Sequence, residues 1–157
     1  MIELLTALEG SAFSTWLRES TSVWGYPTVL MLHTVGLAML VGLNAAFDLR
    51  LLGWGRGIPL AAIEKFFPVM WIGFWINLIT GAMLFATDPI DKGLTTIFMV
   101  KLGLVAVGVV LIVLLRRDVY GRGTEAAAVS GAARTWAVAS LLVWTAAMAT
   151  GRFMAYV

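Results

Sequence analysis

Residues 26–50 read YPTVLMLHTVGLAMLVGLNAAFDLR, and this stretch decides the fold. It carries no formal charge between Tyr26 and Phe47. A helix needs about 20 apolar residues to cross a hydrocarbon core roughly 30 Å thick, because it rises about 1.5 Å per residue. We therefore predict a transmembrane helix here. It contains His33, the only histidine of the chain. Because an ionisable side chain at membrane depth is costly, His33 marks a candidate functional site.

The composition of the whole chain is that of a membrane protein. Of its 157 residues, 61% are hydrophobic and 13% are charged, whereas soluble domains average about 45–50% apolar and about 25% charged residues. The length predicts one domain. A net charge of +2, without a basic patch interleaved with aromatic residues, argues against a nucleic-acid partner. The absence of cysteine excludes disulfides, thiolate metal sites and covalent haem attachment.

We predict an all-α integral membrane protein, a single membrane domain over residues 1–157. Its four-transmembrane-helix bundle is expected at residues 24–50, 60–86, 94–116 and 134–157, separated by glycine-rich or polar loops. Residues 1–20 combine apolar positions with the charged residues Glu3, Glu9, Arg18 and Glu19, and they predict an N-terminal interfacial helix. Within it, Thr6 and Glu9 have the spacing of a capping box.

The distribution of lysine and arginine predicts the orientation. The loops after the first and third helices share one side, and they hold most of the basic residues: Arg50, Arg56, Lys65, Arg116, Arg117, Arg122 and Arg134. The opposite side has only Arg18 and Lys92 outside the helices. By the positive-inside rule, the chain is a multi-pass protein of the bacterial inner (cytoplasmic) membrane with both termini periplasmic.

The helical rise then places polar groups at one depth. His33 and Lys101 each lie seven residues into the first and third helices, about 10 Å from the outer face. Arg152 lies near the outer end of the fourth helix and Thr80 near that of the second, with Asn77 one turn deeper. All four helices thus contribute to one polar layer in the outer half of the membrane.

Each polar residue of this layer also has a purely structural interpretation. Lys101 and Arg152 could extend to the headgroups, or pair with Asp88 and Asp91 in the adjoining turn. The two uncharged polar residues of the second helix could form interhelical hydrogen bonds, and His33 could be a packed histidine. Together, however, one imidazole and two cations at a depth without an acid favour an anionic ligand.

A b-type haem matches this description. An imidazole supplies an axial ligand, and propionates need cations near an aqueous face. We expect His33 to ligate the iron and Lys101 and Arg152 to hold the propionates, with Asn77 and Thr80 in the same layer. The second axial position is left to Met148, to an open five-coordinate site, or to His33 of a second subunit. The predicted function is a haem b-binding, cytochrome b-like electron-transfer or redox subunit.

Other functions stay open. The same layer could bind a quinone, an anionic lipid or a small anion, either for binding or for transport. The chain could instead be a structural accessory subunit of a membrane complex, or form a homo-oligomer, because small residues recur at four-residue spacing in Ala38/Gly42/Ala46, Gly73/Asn77/Gly81 and Ala147/Gly151/Ala155. A redox carrier or binding subunit is favoured over a stand-alone enzyme, since no catalytic triad or metal-hydrolase spacing is present.

Two polar residues follow His33 on roughly the same helix face towards the inner side. They are Asn44 and Asp48, with Arg50 beyond. Asp48 is expected to pair with a loop arginine. The alternative is a proton or ion path from His33 through Asn44 to Asp48.

Several segments together resemble a known pattern. These are WLRES (16–20), YPTVLMLHTVGLAMLVG (26–42), DLRLLG (48–53), TGAMLF-TDP (80–89), F-VK (98–101) and the closing GRFMAY (151–156). With them the chain resembles an uncharacterised family of small bacterial four-helix inner-membrane proteins over nearly its whole length. In architecture it is also similar to four-helix b-type cytochromes, although its single histidine departs from their paired-histidine pattern.

Overall fold

The chain folds into helices. The computed structural model describes residues 2–121, 129–154 and 156, and these residues form no strand; helix makes up 82%. The elements are α1 (Ile2–Glu9), α2 (Ala12–Glu19), α3 (Tyr26–Leu37), a π-helical segment (Ala38–Gly42), α4 (Leu43–Leu51), α5 (Leu60–Glu64), α6 (Phe67–Ala86), α7 (Pro89–Gly93), α8 (Thr96–Tyr120) and α9 (Gly131–Phe153).

Four helical stretches in the described part are long and apolar enough to cross a membrane. They are Tyr26–Leu51, Leu60–Ala86, Thr96–Tyr120 and Gly131–Phe153. The fourth begins three residues before the predicted start, because Ser130 caps it: its Oγ accepts a hydrogen bond from the N–H of Ala133 at 2.9 Å. The predicted end of this helix, with Ala155, and the loop residue Arg122 lie outside the described residues.

The N-terminal segment is two helices instead of the predicted single one. The chain breaks at Gly10, and Ser11 caps α2 by accepting a hydrogen bond from the N–H of Ser14 at 3.2 Å. The predicted capping box is wrong, because the Thr6 hydroxyl donates to the carbonyl of Ile2 one turn back. Helix α2 also packs on the bundle, since the Ser14 hydroxyl donates to the carbonyl of Ala86 at 2.7 Å.

Helix α3 crosses α6 at a pair of glycines. A Cβ atom on Gly36 would lie 2.8 Å from the backbone nitrogen of Asn77, and one on Gly73 would lie 2.7 Å from the Cβ of Met39. Only glycine permits this approach. Of the small residues noted in the sequence, Gly73 therefore packs the bundle. Gly42 does not, because its Cβ would meet no atom within 4 Å.

The two ends of the bundle differ. At the end where α4 meets the start of α6 and the end of α8, the rings of Phe47, Phe67 and Tyr120 lie within 5.2–6.1 Å of one another. Aliphatic side chains such as Leu51 and Leu115 fill the remaining space. We call this the core end. At the opposite end, the starts of α3 and α8 and the ends of α6 and α9 separate around a cavity, and we call it the cavity end.

The loop after α4 shows that one expected ion pair is wrong. The guanidinium group of Arg50 donates to the carbonyls of Ile58 at 2.7 Å and Arg56 at 3.3 Å, which closes the loop. Within the described part of the chain, no basic side chain lies within 4 Å of Asp48. Asp48 instead accepts a hydrogen bond from Asn44, one turn earlier in α4.

Candidate functional site

A cavity of about 510 Å³ opens between the four long helices at the cavity end. Its walls combine a few polar groups with many apolar and aromatic ones, which is typical of ligand-binding sites. The polar and charged side chains are His33, Thr34, Asn77, Lys101 and Arg152. The apolar lining is Leu37, Leu40, Phe74, Leu78, Gly81, Ala82, Phe85, Phe98, Leu102, Val105, Trp144, Ala147, Met148 and Gly151.

The hydrogen bonds of Thr80 favour one tautomer of His33. The Thr80 hydroxyl donates its single hydrogen to the carbonyl of Ile76 at 2.6 Å, with the carbonyl of Asn77 as a second acceptor at 3.3 Å. It can therefore only accept from the imidazole, whose Nδ1 lies 3.0 Å away. This geometry favours the tautomer with the ring hydrogen on Nδ1, in which Nε2 keeps its lone pair. Among the described residues Nε2 has no hydrogen-bond partner.

Helix α6, which contains Thr80, also holds the backbone at His33. The side-chain amide nitrogen of Asn77 donates to the carbonyl of His33 at 2.9 Å, which joins α3 to α6 beside the glycine crossing. Gly81 faces the ring, and a Cβ atom there would lie 3.2 Å from Cε1 of His33. Helix α6 thus positions the histidine through two side chains and leaves room for its ring.

Two cations reach the cavity from the other pair of helices. Lys101 of α8 lies against Gly151 of α9, where a Cβ atom would be 3.4 Å from Nζ. Arg152 donates to the hydroxyl of Tyr156 at 2.9 Å, and its guanidinium carbon lies 5.3 Å from the centre of that ring. In the part of the chain that the structure describes, neither cation forms an ion pair, so the alternative pairing with Asp88 and Asp91 is absent.

Aromatic rings form much of the apolar wall. Phe85 and Phe98 stack with their centres 4.8 Å apart and their planes at 13°. Trp144 packs so closely on α8 that a Cβ atom on Gly108 would lie 2.7 Å from its indole ring. The indole nitrogen is buried and has no hydrogen-bond partner among the described residues. Flat walls of this kind suit a planar ligand.

The structure brings most of the predicted site residues together. His33, Asn77, Lys101, Met148 and Arg152 line one cavity. Thr80 does not line it, but holds the imidazole from behind. The aromatic lining was not assigned residue by residue from the sequence, because periodicity in a helix that is apolar all round does not show which face turns inward.

The side chains of the cavity suit a ligand that needs one imidazole and two cationic groups from the protein. Within residues 2–121, 129–154 and 156, no three histidine, aspartate or glutamate side chains cluster as a metal site. A transition metal held by three or more such side chains therefore has no support there. A ligand that brings its own metal donors needs only one imidazole from the protein, and a ligand with acidic groups can pair with Lys101 and Arg152.

Comparisons of the chain with protein-family models, with curated proteins and with solved structures find no match.

Proposed function

We propose that this protein crosses the bacterial inner membrane four times, with both termini periplasmic, and binds haem b in the cavity as an electron-transfer or redox subunit. The observation that carries the proposal is the state of His33. Its Nδ1 is bonded to Thr80, and among the described residues its Nε2 has no partner and the two cations of the cavity have no ion pair. A metal-ligating histidine usually donates a hydrogen bond from the N–H of its other ring nitrogen, and this bond orients the ring towards the metal.

The residues of the cavity would divide the work of binding. His33 would offer Nε2 to the iron, while Asn77 and Thr80 fix its backbone and its ring. Lys101 and Arg152 would hold the propionates. Met148 lines the same cavity and would be one candidate for a second ligand, beside an open site and His33 of a second subunit. When bound, haem b supplies one-electron chemistry that the side chains alone do not have.

A quinone is the second candidate. It is favoured by the single imidazole, since membrane b cytochromes use two histidines for each haem and a quinone needs only hydrogen-bond donors at its carbonyl oxygens. Lys101 and the guanidinium group of Arg152 are such donors. The aromatic walls would contact the quinone ring as well as a porphyrin.

The experiment is an absorption spectrum of the protein purified in detergent from haem-replete cells, oxidised and then reduced with dithionite. For the wild type we expect a Soret band, with α and β bands that sharpen on reduction. In His33→Ala these bands should be lost. Met31→Ala is the matched control, because Met31 lies two residues away on an exposed face outside the cavity, and it should keep the spectrum.

A colourless wild-type protein from such cells would contradict haem binding, as would a His33→Ala variant with an unchanged spectrum. The second candidate would be supported if an organic extract of the colourless protein contained quinone and the extract of His33→Ala contained less of it. Retention of both spectrum and extractable ligand in His33→Ala would leave only a structural role for this histidine.

A further inference from the structure

A second polar cluster lies between α4 and α9, away from the residues that line the cavity. It consists of Asn44, Asp48 and Ser140, whose exposed fractions are 1%, 0% and 0%. The amide nitrogen of Asn44 donates to Oδ2 of Asp48 at 2.7 Å and to Oγ of Ser140 at 2.9 Å. Three polar side chains from two helices are thus buried in direct contact.

Two oxygen atoms of this cluster have no partner. Oδ1 of Asn44 and Oδ1 of Asp48 are both buried, and neither has a hydrogen bond in the described part of the chain. An amide oxygen only accepts hydrogen bonds, and so does an ionised carboxylate. Buried polar atoms are nearly always satisfied, so the group that completes this cluster is a donor or a cation.

The charge of the cluster points to a cation. No lysine, arginine or histidine within residues 2–121, 129–154 and 156 forms an ion pair with Asp48. The nearest arginine in the sequence, Arg50, is used by the carbonyls of its own loop. A buried carboxylate without a counter-charge is strongly disfavoured, and one bound monovalent cation neutralises it.

The donor atoms select the type of ion. A carboxylate, an amide oxygen and a hydroxyl are hard oxygen ligands, which suit cations such as Na⁺ and not transition metals. The cluster itself contains one acid, and one carboxylate charge is balanced by a monovalent ion. The π-helical segment ends at Gly42, two residues before Asn44. Single π-helical turns inside α-helices frequently occur at functional sites.

We propose that Asn44, Asp48 and Ser140 bind one Na⁺ ion between α4 and α9. The ion is held by the unpartnered oxygens of Asn44 and Asp48, and the hydrogen bond from Asn44 to Ser140 connects this site to α9 beneath the cavity. On α9, Ser140 lies one helical turn from Trp144, which lines the cavity. The site does not depend on which ligand the cavity takes.

The test is the thermal unfolding of the purified full chain in detergent, in NaCl, KCl or choline chloride at equal ionic strength. Binding to the folded state alone raises Tm with ligand concentration. We expect a Tm several degrees higher in Na⁺ than in choline, rising with Na⁺ concentration, and a smaller effect of K⁺. Identical Tm values in the three salts would overturn the proposal. A Tm that depends on pH but not on Na⁺ would also overturn it, because a proton would then complete the cluster.

Variants locate the effect. Asp48→Asn keeps the side-chain shape but removes the charge, so the Na⁺ dependence should vanish. Ser140→Ala should need a roughly tenfold higher Na⁺ concentration for the same shift. Thr145→Val, on the same helix but hydrogen-bonded only within it, should behave as the wild type. Should Asp48→Asn fail to fold, the wild-type comparison of salts decides alone. A Na⁺ effect that survives in Asp48→Asn would place the ion elsewhere and overturn the assignment.

Discussion

At the residue scale, the reactivity of the site depends on a threonine outside the cavity. Thr80 donates to its own helix and so can accept from His33, which would leave Nε2 as the atom that ligates the iron in the proposed function. Without that acceptor, the imidazole is free to rotate and to change tautomer. An outer partner of this kind typically accounts for about 10–100-fold in the affinity of a metal site.

We therefore predict that Thr80→Val lowers the affinity for haem by about 10–100-fold while the protein stays folded. Valine has the shape of threonine but accepts no hydrogen bond. The measurement is a haem titration followed at the Soret band. Thr145→Val is the matched control, since its hydroxyl bonds only to Leu141 in the same helix. Equal affinities in the two variants would show that Thr80 does not position His33.

Lys101 provides a second prediction at this scale. Its ammonium group has no ion pair in the described part of the chain, so an acidic ligand group would be its partner. Lys101→Gln should weaken binding of an acidic ligand roughly tenfold, the usual effect of losing one charge-assisted hydrogen bond. Lys65→Gln removes the same charge from an exposed position outside the cavity and serves as control. The same loss in both variants would indicate a general effect of net charge.

Depth along a helix could be predicted from the sequence, and direction around it could not. Counting residues from the helix ends placed His33, Lys101 and Arg152 at one level, and the structure has them lining one cavity. The role of Trp144 was not foreseen, because α9 carries apolar residues on several faces. Asp48 was expected to pair with a loop arginine, but the guanidinium group of Arg50 donates to backbone carbonyls of its own loop instead.

At the element scale, the contact between α3 and α6 positions the histidine. Gly36 and Gly73 bring the two backbones together, and the bonds from Asn77 and Thr80 to His33 follow on the next turns. In lipid, such close packing replaces the hydrophobic effect as the force between helices. Gly73 belongs to one of the rows of small residues predicted from the sequence, but Gly36 belongs to none of them, so the crossing point could not be predicted.

We predict that Gly36→Ala lowers the free energy of unfolding by about 1–3 kcal/mol, because its Cβ would overlap the backbone of α6. Gly42→Ala, in open space on the same helical stretch, should be neutral or stabilising by up to about 1 kcal/mol, since alanine favours helix. Denaturant unfolding in detergent measures both. Equal effects would contradict the crossing, and a destabilised Gly42→Ala would point to a contact with another chain.

The N-terminal segment was predicted to be helical, but its division into two helices was not. Apolar and charged residues predicted one helix over residues 1–20, whereas Gly10 and the Ser11 cap divide it. The bond from Ser14 to the carbonyl of Ala86 docks α2 on the bundle. Contacts between residues so far apart in sequence have no local sequence pattern. The sequence therefore cannot distinguish an interfacial helix from one that is packed on the bundle.

At the scale of the whole molecule, the bundle is packed with side chains at one end and open at the other. The hydropathy of the sequence is sufficient to predict four long apolar helices, which the structure has. The cavity could not be predicted from the sequence, because it depends on how far the helices separate at the cavity end, beyond Trp144 and Leu40. The proposed orientation places this open end at the periplasmic face.

That orientation has a direct test, because the chain contains no cysteine. Single substitutions can be labelled without background. We predict that Ser22→Cys, at the cavity end, reacts with a membrane-impermeant maleimide in intact spheroplasts. Gly57→Cys lies in the loop at the core end, where nothing crowds it, and should react only after the membrane is permeabilised. The reverse pattern would invert the orientation, and equal labelling of both sites would contradict a membrane crossing by Tyr26–Leu51.

The most direct test of the central claim is a titration of purified, haem-depleted protein with hemin, followed at the Soret band and by quenching of tryptophan fluorescence. If His33 ligates haem in the cavity, the wild type should saturate at a fixed stoichiometry and quench its tryptophans, which include Trp144 in the cavity wall. His33→Ala should show only weak, unsaturable binding. Identical titrations of the two proteins would contradict the claim that this cavity is a haem site.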